Sequence, residues 1–105
     1  MTDILLVLST FPDFEKASQT GTMLVESQLA ACVNLCPGIN SIYRWRGAVE
    51  QSQEVLALFK TTRQRYEAFE QKLRELHPYE APEILAFPAE HAAEAYARWV
   101  AAETL

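Results

Sequence analysis

ACVNLCPGINSIYRWRGAVEQSQEVLALFKT, Ala31 to Thr61, decides how this 105-residue chain folds. β-Branched and aromatic residues run through it and turn signals interrupt it, so it reads as two extended strands. Pro37 cannot donate to a sheet ladder, and with Gly38 it marks a bulge, a kink or a short break in the first strand, Ala31 to Trp45. Arg46 and Gly47 form a hairpin turn, and the chain returns from about Val49 to Thr61. A strand of about 15 residues reaches roughly 50 Å at about 3.3 Å per residue, whereas a domain of this size has a radius of gyration of about 13 Å. Part of the hairpin must therefore overhang, carrying Ile39, Ile42, Tyr43 and Trp45. An isolated ribbon bearing such side chains is marginal in water. Burial against another copy is the simplest remedy, so a homo-oligomer is expected, with the number of copies left open.

Working outward, Ile4 to Leu8 is a short apolar run with the pattern of a central strand. Pro12, Asp13 and Glu15 open a helix whose face, Phe14, Ala17, Gly21, Leu24 and Gln28, extends to about Leu29. Gly21 in mid-helix costs about 1 kcal/mol against alanine, which implies that something packs closely there. Downstream, a helix is expected from Arg63 to Leu76, with Thr62 as N-cap and Tyr66, Phe69, Leu73 and Leu76 inward. His77 and Pro78 stop it. Glu83 to Phe87 reads as a buried strand, and Ala92 to Glu103 as a helix with the stripe Ala92, Tyr96, Trp99 and Val100. Strand, helix, strand, strand, helix, strand, helix is the split βαβ order of an α+β, ferredoxin-like sandwich with one appended helix. A single domain over residues 1–105 is expected.

A net charge of -5 and a pI of about 4.9 argue against nucleic-acid binding, which needs a basic stripe. The basic residues Arg63, Arg65, Lys72 and Arg74 share their helix with Glu67, Glu70 and Glu75, an ordinary solvated face. Neither a signal peptide nor an apolar stretch of about 20 residues is present, so no membrane association and a cytoplasmic location are expected. Cys32 and Cys36 are too few for a disulfide framework. On a strand they share a face about 13 Å apart, too far for one metal ion.

Two positions invite chemistry. His77 at a helix end is either a C-terminal cap, where a protonated imidazole suits the dipole, or a ligand or donor in a cleft between subunits. Lys60, at a strand-to-helix junction, resembles an anion cradle for phosphate or carboxylate; the alternative is an ion pair with Glu83 or Glu54. Tyr79 and Trp45 are core or interface anchors. No nucleophile elbow, HExxH or paired-carboxylate motif appears, and binding rather than catalysis is expected.

ACVN at Ala31 to Asn34, Pro37 and Gly38, SIYRWRG at Ser41 to Gly47, Glu54, KTT at Lys60 to Thr62, HPYEAPE at His77 to Glu83, and Tyr96 with Trp99 form an ordered set. Together they resemble the CutA divalent-cation-tolerance family. That resemblance implies a ferredoxin-like subunit, a trimer of PII-like architecture whose hairpins extend neighbouring sheets, and a role in tolerance of copper and other divalent ions. Metal ligands attributed to some members fall here on Ser9, Leu76 and His77, of which only His77 is a competent soft-metal ligand. A rival reading is a PII-like sensor whose intersubunit clefts, lined by Tyr43, Trp45, Glu54, Lys60, His77, Tyr79 and Glu83, accept a small anionic ligand or a protein. A third is a trimeric scaffold that anchors partners.

Overall fold

The computed structural model describes residues 2–105. β1 (Ile4–Phe11) leads through α1 (Phe14–Glu26) to β2 (Cys32–Trp45) and β3 (Ala48–Thr62), then α2 (Arg63–Leu76), β4 (Leu85–Pro88) and α3 (Glu94–Glu103). The strands form one antiparallel sheet in the order β2-β3-β1-β4. With β3 inserted between β1 and β2, this is the ferredoxin-like arrangement, and α3 is the appended helix.

β1 is longer than its apolar run. Ser9, Thr10 and Phe11 continue the ladder opposite Ala57, Leu56 and Val55, because alternation suffices to keep Ser9 and Phe11 inside. α1 starts later and stops earlier than the sequence suggests. Asp13 is its N-cap and accepts from the Lys16 amide at 2.8 Å, which leaves Pro12 outside. At the far end Gln28 takes a left-handed conformation at φ 61°, breaking the helix before Leu29. Ala17, Thr20, Gly21 and Leu24 form the buried stripe, whereas Phe14 and Gln28, expected inside, are exposed. The close neighbour that Gly21 implies is Val33: a Cβ on Gly21 would stand 2.9 Å from Val33 Cγ1.

The hairpin carries a bulge where Pro37 and Gly38 predict it. Cys36 faces Leu56 and Ile39 faces Glu54, so β2 holds one residue more than β3 across this step, with Gly38 at φ 77°. At the tip Arg46 and Gly47 have φ of 51° and 84°, as a type I′ turn requires. Every residue from 42 to 51 is exposed, and the long axis of the molecule is 44 Å. The overhang is real.

α2 has the expected bounds, with Phe69 and Leu73 buried. Thr62 occupies the N-cap position without a side-chain capping bond; the Arg63 amide donates instead to the Asp3 carbonyl at 2.9 Å. β4 is shorter than expected and its residues are exposed in the single chain, not buried. α3 begins at Glu94, leaving Ala92 outside; Val100 is buried, but Tyr96 and Trp99 are exposed.

One sheet face is sealed. Val7, Phe11, Ala57 and Phe59 pack there with Leu24, Phe69 and Leu73 of the helices. On the other face α3 covers one end, where Val100 meets Ile4 and Ala31. Directly opposed residues share a face, so the pairs Leu8 with Leu58, Leu8 with Leu85 and Leu6 with Phe87 extend an apolar surface beyond α3. Leu85 and Phe87 are 50% and 47% exposed, which makes this surface incomplete as a core.

Candidate functional site

An open cleft of about 570 Å³ lies between the hairpin and the loop that follows α2. Counting back from the turn, Tyr43 faces Glu50 and Ile39 faces Glu54, which sets Glu50, Glu54 and Tyr43 on one face. Tyr43 and Trp45 line the hairpin wall with Ser41 and Glu50, while Tyr79, Glu80 and Glu83 come from the loop.

The loop is pinned at its start. Leu76 packs against the core and the His77 amide donates to the Leu73 carbonyl at 2.9 Å, closing the helix. The His77 ring is buried and stacks on Phe11, with centroids 4.3 Å apart and planes 19° apart. The Tyr79 amide donates to its Nδ1 at 3.1 Å, and Nε2 lies 2.8 Å from the Thr10 carbonyl. An Nδ1 that accepts must be unprotonated, so Nε2 carries the proton and donates to Thr10. Burial lowers the His77 pKa, against the opposing effects of the Thr10 bond and the Glu54 charge. His77 is thus a helix cap, as one expectation had it, but a neutral one.

Tyr79 reaches from this pin to Glu54, its hydroxyl donating to Oε2 at 2.6 Å. Burial first, then that hydrogen bond and the Glu54 charge, raise the phenol pKa well above its ordinary value. Tyr79 is therefore a fixed neutral donor across the physiological range. On the opposite wall the Tyr43 hydroxyl is 3.3 Å from Ser52 Oγ, and the Arg46 guanidinium sits 5.5 Å from the Trp45 ring centroid.

Of the residues proposed from sequence, Tyr43, Trp45, Glu54, Tyr79 and Glu83 line the cleft, and His77 stands behind it. Lys60 does not. It lies six residues along β3 from Glu54, about 20 Å of strand, opposite Leu6 and Cys32. Its ammonium donates to Asn34 Oδ1, and among the described residues it makes no ion pair with Glu54 or Glu83. Glu50 and Glu80 were missed in the sequence. Glu50 is recoverable by counting residues back from the Arg46–Gly47 turn to Tyr43; nothing local marks Glu80.

The expected copper ligands do not fit a metal. Both His77 nitrogens are committed, Leu76 offers no donor, and the Ser9 hydroxyl is fully buried without a hydrogen-bond partner. Among the described residues no group of three or more His, Cys, Asp or Glu side chains is arranged to hold a metal ion. Cys32 and Cys36 are free, and Cys32 Sγ lies 3.6 Å from the Tyr96 hydroxyl. That contact, followed by burial, pushes the Tyr96 pKa up to about 12.

A family model described as CutA1 divalent ion tolerance protein matches residues 5–103. The chain belongs to this CutA1 family. The divalent-cation tolerance protein CutA of Thermus thermophilus is 43% identical over 99 residues, covering 94% of this chain and 96% of the relative. The crystal structure of CutA from Xylella fastidiosa matches with a TM-score of 0.96 at 38% identity, over 98% of this chain and 99% of that one. A CutA structure from Archaeoglobus fulgidus, described as a periplasmic divalent cation tolerance protein, matches with a TM-score of 0.93 at 28% identity, over 97% and 99% of the two chains. The sheet, the long hairpin and the appended helix are thus common to CutA1 chains. No helix of the described residues is long and apolar enough to cross a membrane.

Proposed function

We propose that this protein serves tolerance of copper and other divalent ions as a homotrimer, acting by binding rather than catalysis. The carrying observation is the uncovered apolar face formed by β1, β3 and β4, with Phe87 and Leu85 about half exposed beside Leu6, Leu8 and Leu58. An apolar surface of this kind, together with an overhanging hairpin, is what a second copy covers. The resemblance to the CutA family supplies the number three and the PII-like architecture. The metal enters this reading as the stress that the protein answers and not as a resident cofactor at His77. A cytoplasmic location belongs to the same proposal, supported by the two free thiols.

Light scattering on the purified chain tests the assembly: wild type should show the mass of three copies, and Leu58→Glu or Phe87→Glu should release single folded chains. Expression in a host lacking its own CutA protein tests the role. Wild type should restore growth under copper stress, and the dissociated variants should not. A wild-type chain that is monomeric at micromolar concentration, or one that leaves copper sensitivity unchanged, overturns the reading. Copper titration gives a third check, in which wild type and His77→Ala should take up the ion identically.

A further inference from the structure

The two ends of β3 carry opposite charge on one face. β3 runs without an inserted residue, the bulge beside Pro37 lying on β2, so alternation holds along it and Glu50, Glu54, Leu56, Leu58 and Lys60 share a side. That side is the open one, acidic at the overhanging end, apolar in the middle and basic at the root. We propose that in the assembly Lys60 of the partner subunit meets the acidic wall of the hairpin, so that each contact between copies is closed by a charge pair. This rests on the assembly read above and deepens it by naming the polar contact that orients one copy on the next.

Each end has a deficit that the other supplies. Glu50, Glu54, Glu80 and Glu83 come together beside the hairpin with no lysine or arginine among the lining residues. Covering the overhang with another copy takes these carboxylates from water, and a carboxylate buried without a cation is costly. Lys60 has the converse problem. It stands between apolar neighbours on the face that a second copy covers, opposite Leu6 and two residues from Leu58, and its acceptor within the chain is the uncharged Asn34 amide. An ammonium covered there needs a carboxylate, and its own chain holds the acidic wall about 20 Å away along the strand.

The other cations are placed elsewhere. Of the nine lysines and arginines, five belong to α1 and α2, whose apolar sides pack on the sealed face. Arg98 of α3 pairs with Glu94. Arg44 and Arg46 belong to the hairpin itself, and the Arg46 guanidinium lies over Trp45. Lys60 remains, and no ion pair among the described residues includes it. Acid on base also sets direction, because two acidic ends or two basic ends laid together repel. A contact that joins the tip of one copy to the root of the next is heterologous, the kind that closes into a ring.

The test is carbodiimide cross-linking, which joins an amine to a carboxylate in contact, on protein reassembled from equal parts of light and heavy-nitrogen chains. Mass spectrometry should find Lys60 of one chain joined to Glu50, Glu54, Glu80 or Glu83 of another, as peptides of mixed isotope. Analytical ultracentrifugation gives the second readout. Lys60→Glu should raise the concentration at which the assembly dissociates roughly tenfold or more, and Lys60→Gln should raise it by less. Glu50→Lys with Glu83→Lys should act like Lys60→Glu, and all three changes in one chain should recover most of the loss. Groups this far apart within a chain do not couple, so recovery reports contact between copies. An intact assembly that yields no mixed peptide, a dissociation point unmoved by Lys60→Glu, or losses that simply add in the combined variant overturns the proposal. With light scattering still giving three copies, each of those results leaves the earlier reading standing, whereas a monomeric wild type ends both.

Discussion

On β3, Val55, Ala57, Phe59 and Thr61 are buried beneath α1 and α2, whereas Leu56, Leu58 and Lys60, alternating with them, are only partly covered. The two faces share one backbone and one hydrogen-bond ladder, so local propensity cannot account for the contrast. What separates them is length of cover. Two helices of 13 and 14 residues span one face, while α3, with 10 residues, reaches only one end of the other. The stability of the single chain is therefore concentrated on the first face, and the second is a half-built core that the proposed assembly would complete.

The largest effect should come from emptying the sealed face. Phe69→Ala removes a fully buried ring set edge-on to Phe59 at 5.1 Å, and should cost about 3–5 kcal/mol in denaturant unfolding at every protein concentration. Leu58→Ala, on the open face, should instead lower the melting midpoint more at low protein concentration than at high, relative to wild type, because its loss is felt in association. Equal and concentration-independent losses would abolish the distinction between the faces.

Next in size is Gly21→Ala, a substitution that would help an exposed helix. Here the added methyl collides with Val33, and overpacking of about 1–3 kcal/mol should exceed the helix gain of about 1 kcal/mol. Val33→Ala in the same chain should remove the clash, and a double-mutant cycle measures the coupling.

Acid should act on the pin at the cleft. The folded pKa of His77 lies below its ordinary value of 6.5, so the unfolded chain binds more protons once the pH drops below about 6.5. Stability from this group is then lost as the pH falls from there through the folded pKa, and is unaffected above that window. Melting scans from pH 7.5 to about 5 should show a shallower slope in His77→Gln than in wild type.

The smallest effect, and the one of opposite sign, belongs to Ser9. Its hydroxyl is buried with no partner, and a lone buried hydroxyl costs about 1–3 kcal/mol. Ser9→Ala should therefore be neutral or stabilising by about 1 kcal/mol, read as a raised midpoint. A clear loss would mean that Ser9 bonds something within the assembly.

Much of this architecture was legible beforehand. The hairpin, its turn, the bulge at Pro37 and Gly38, the bounds of α2 and the close approach at Gly21 all follow from local chemistry: proline's missing donor, glycine's positive φ, the period of apolar residues. β4 was placed approximately but judged buried, since the apolar content of EILAF does not reveal that α3 covers only the end of that face near Ile4 and Ala31 and leaves β4 exposed in the single chain. Five of the seven proposed site residues meet at the cleft, because all five sit on the hairpin or in the loop directly after α2. Lys60 stands apart from this cleft within the chain, because a residue at the end of a strand and one at its middle lie far apart even when both border an apparent junction. The sign of the cleft's charge could not be read at all without the fold, since Glu80 and Glu83 are brought to Glu50 only by the path of the loop after His77.

The bulge between Cys36 and Ile39 sets the phase of everything beyond it. Below it, even-numbered residues of β2 share a face with Leu58 and Lys60; above it, odd-numbered ones share a face with Glu54 and Glu50. Root and tip thus follow different numbering rules on one continuous strand, each free to satisfy its own surroundings. Removing Gly38 would leave one residue on each strand between the pairs Cys36–Leu56 and Ile39–Glu54, so Tyr43 would still face Glu50, but Pro37, with no N–H to give, would have to fill an ordinary ladder position opposite Val55.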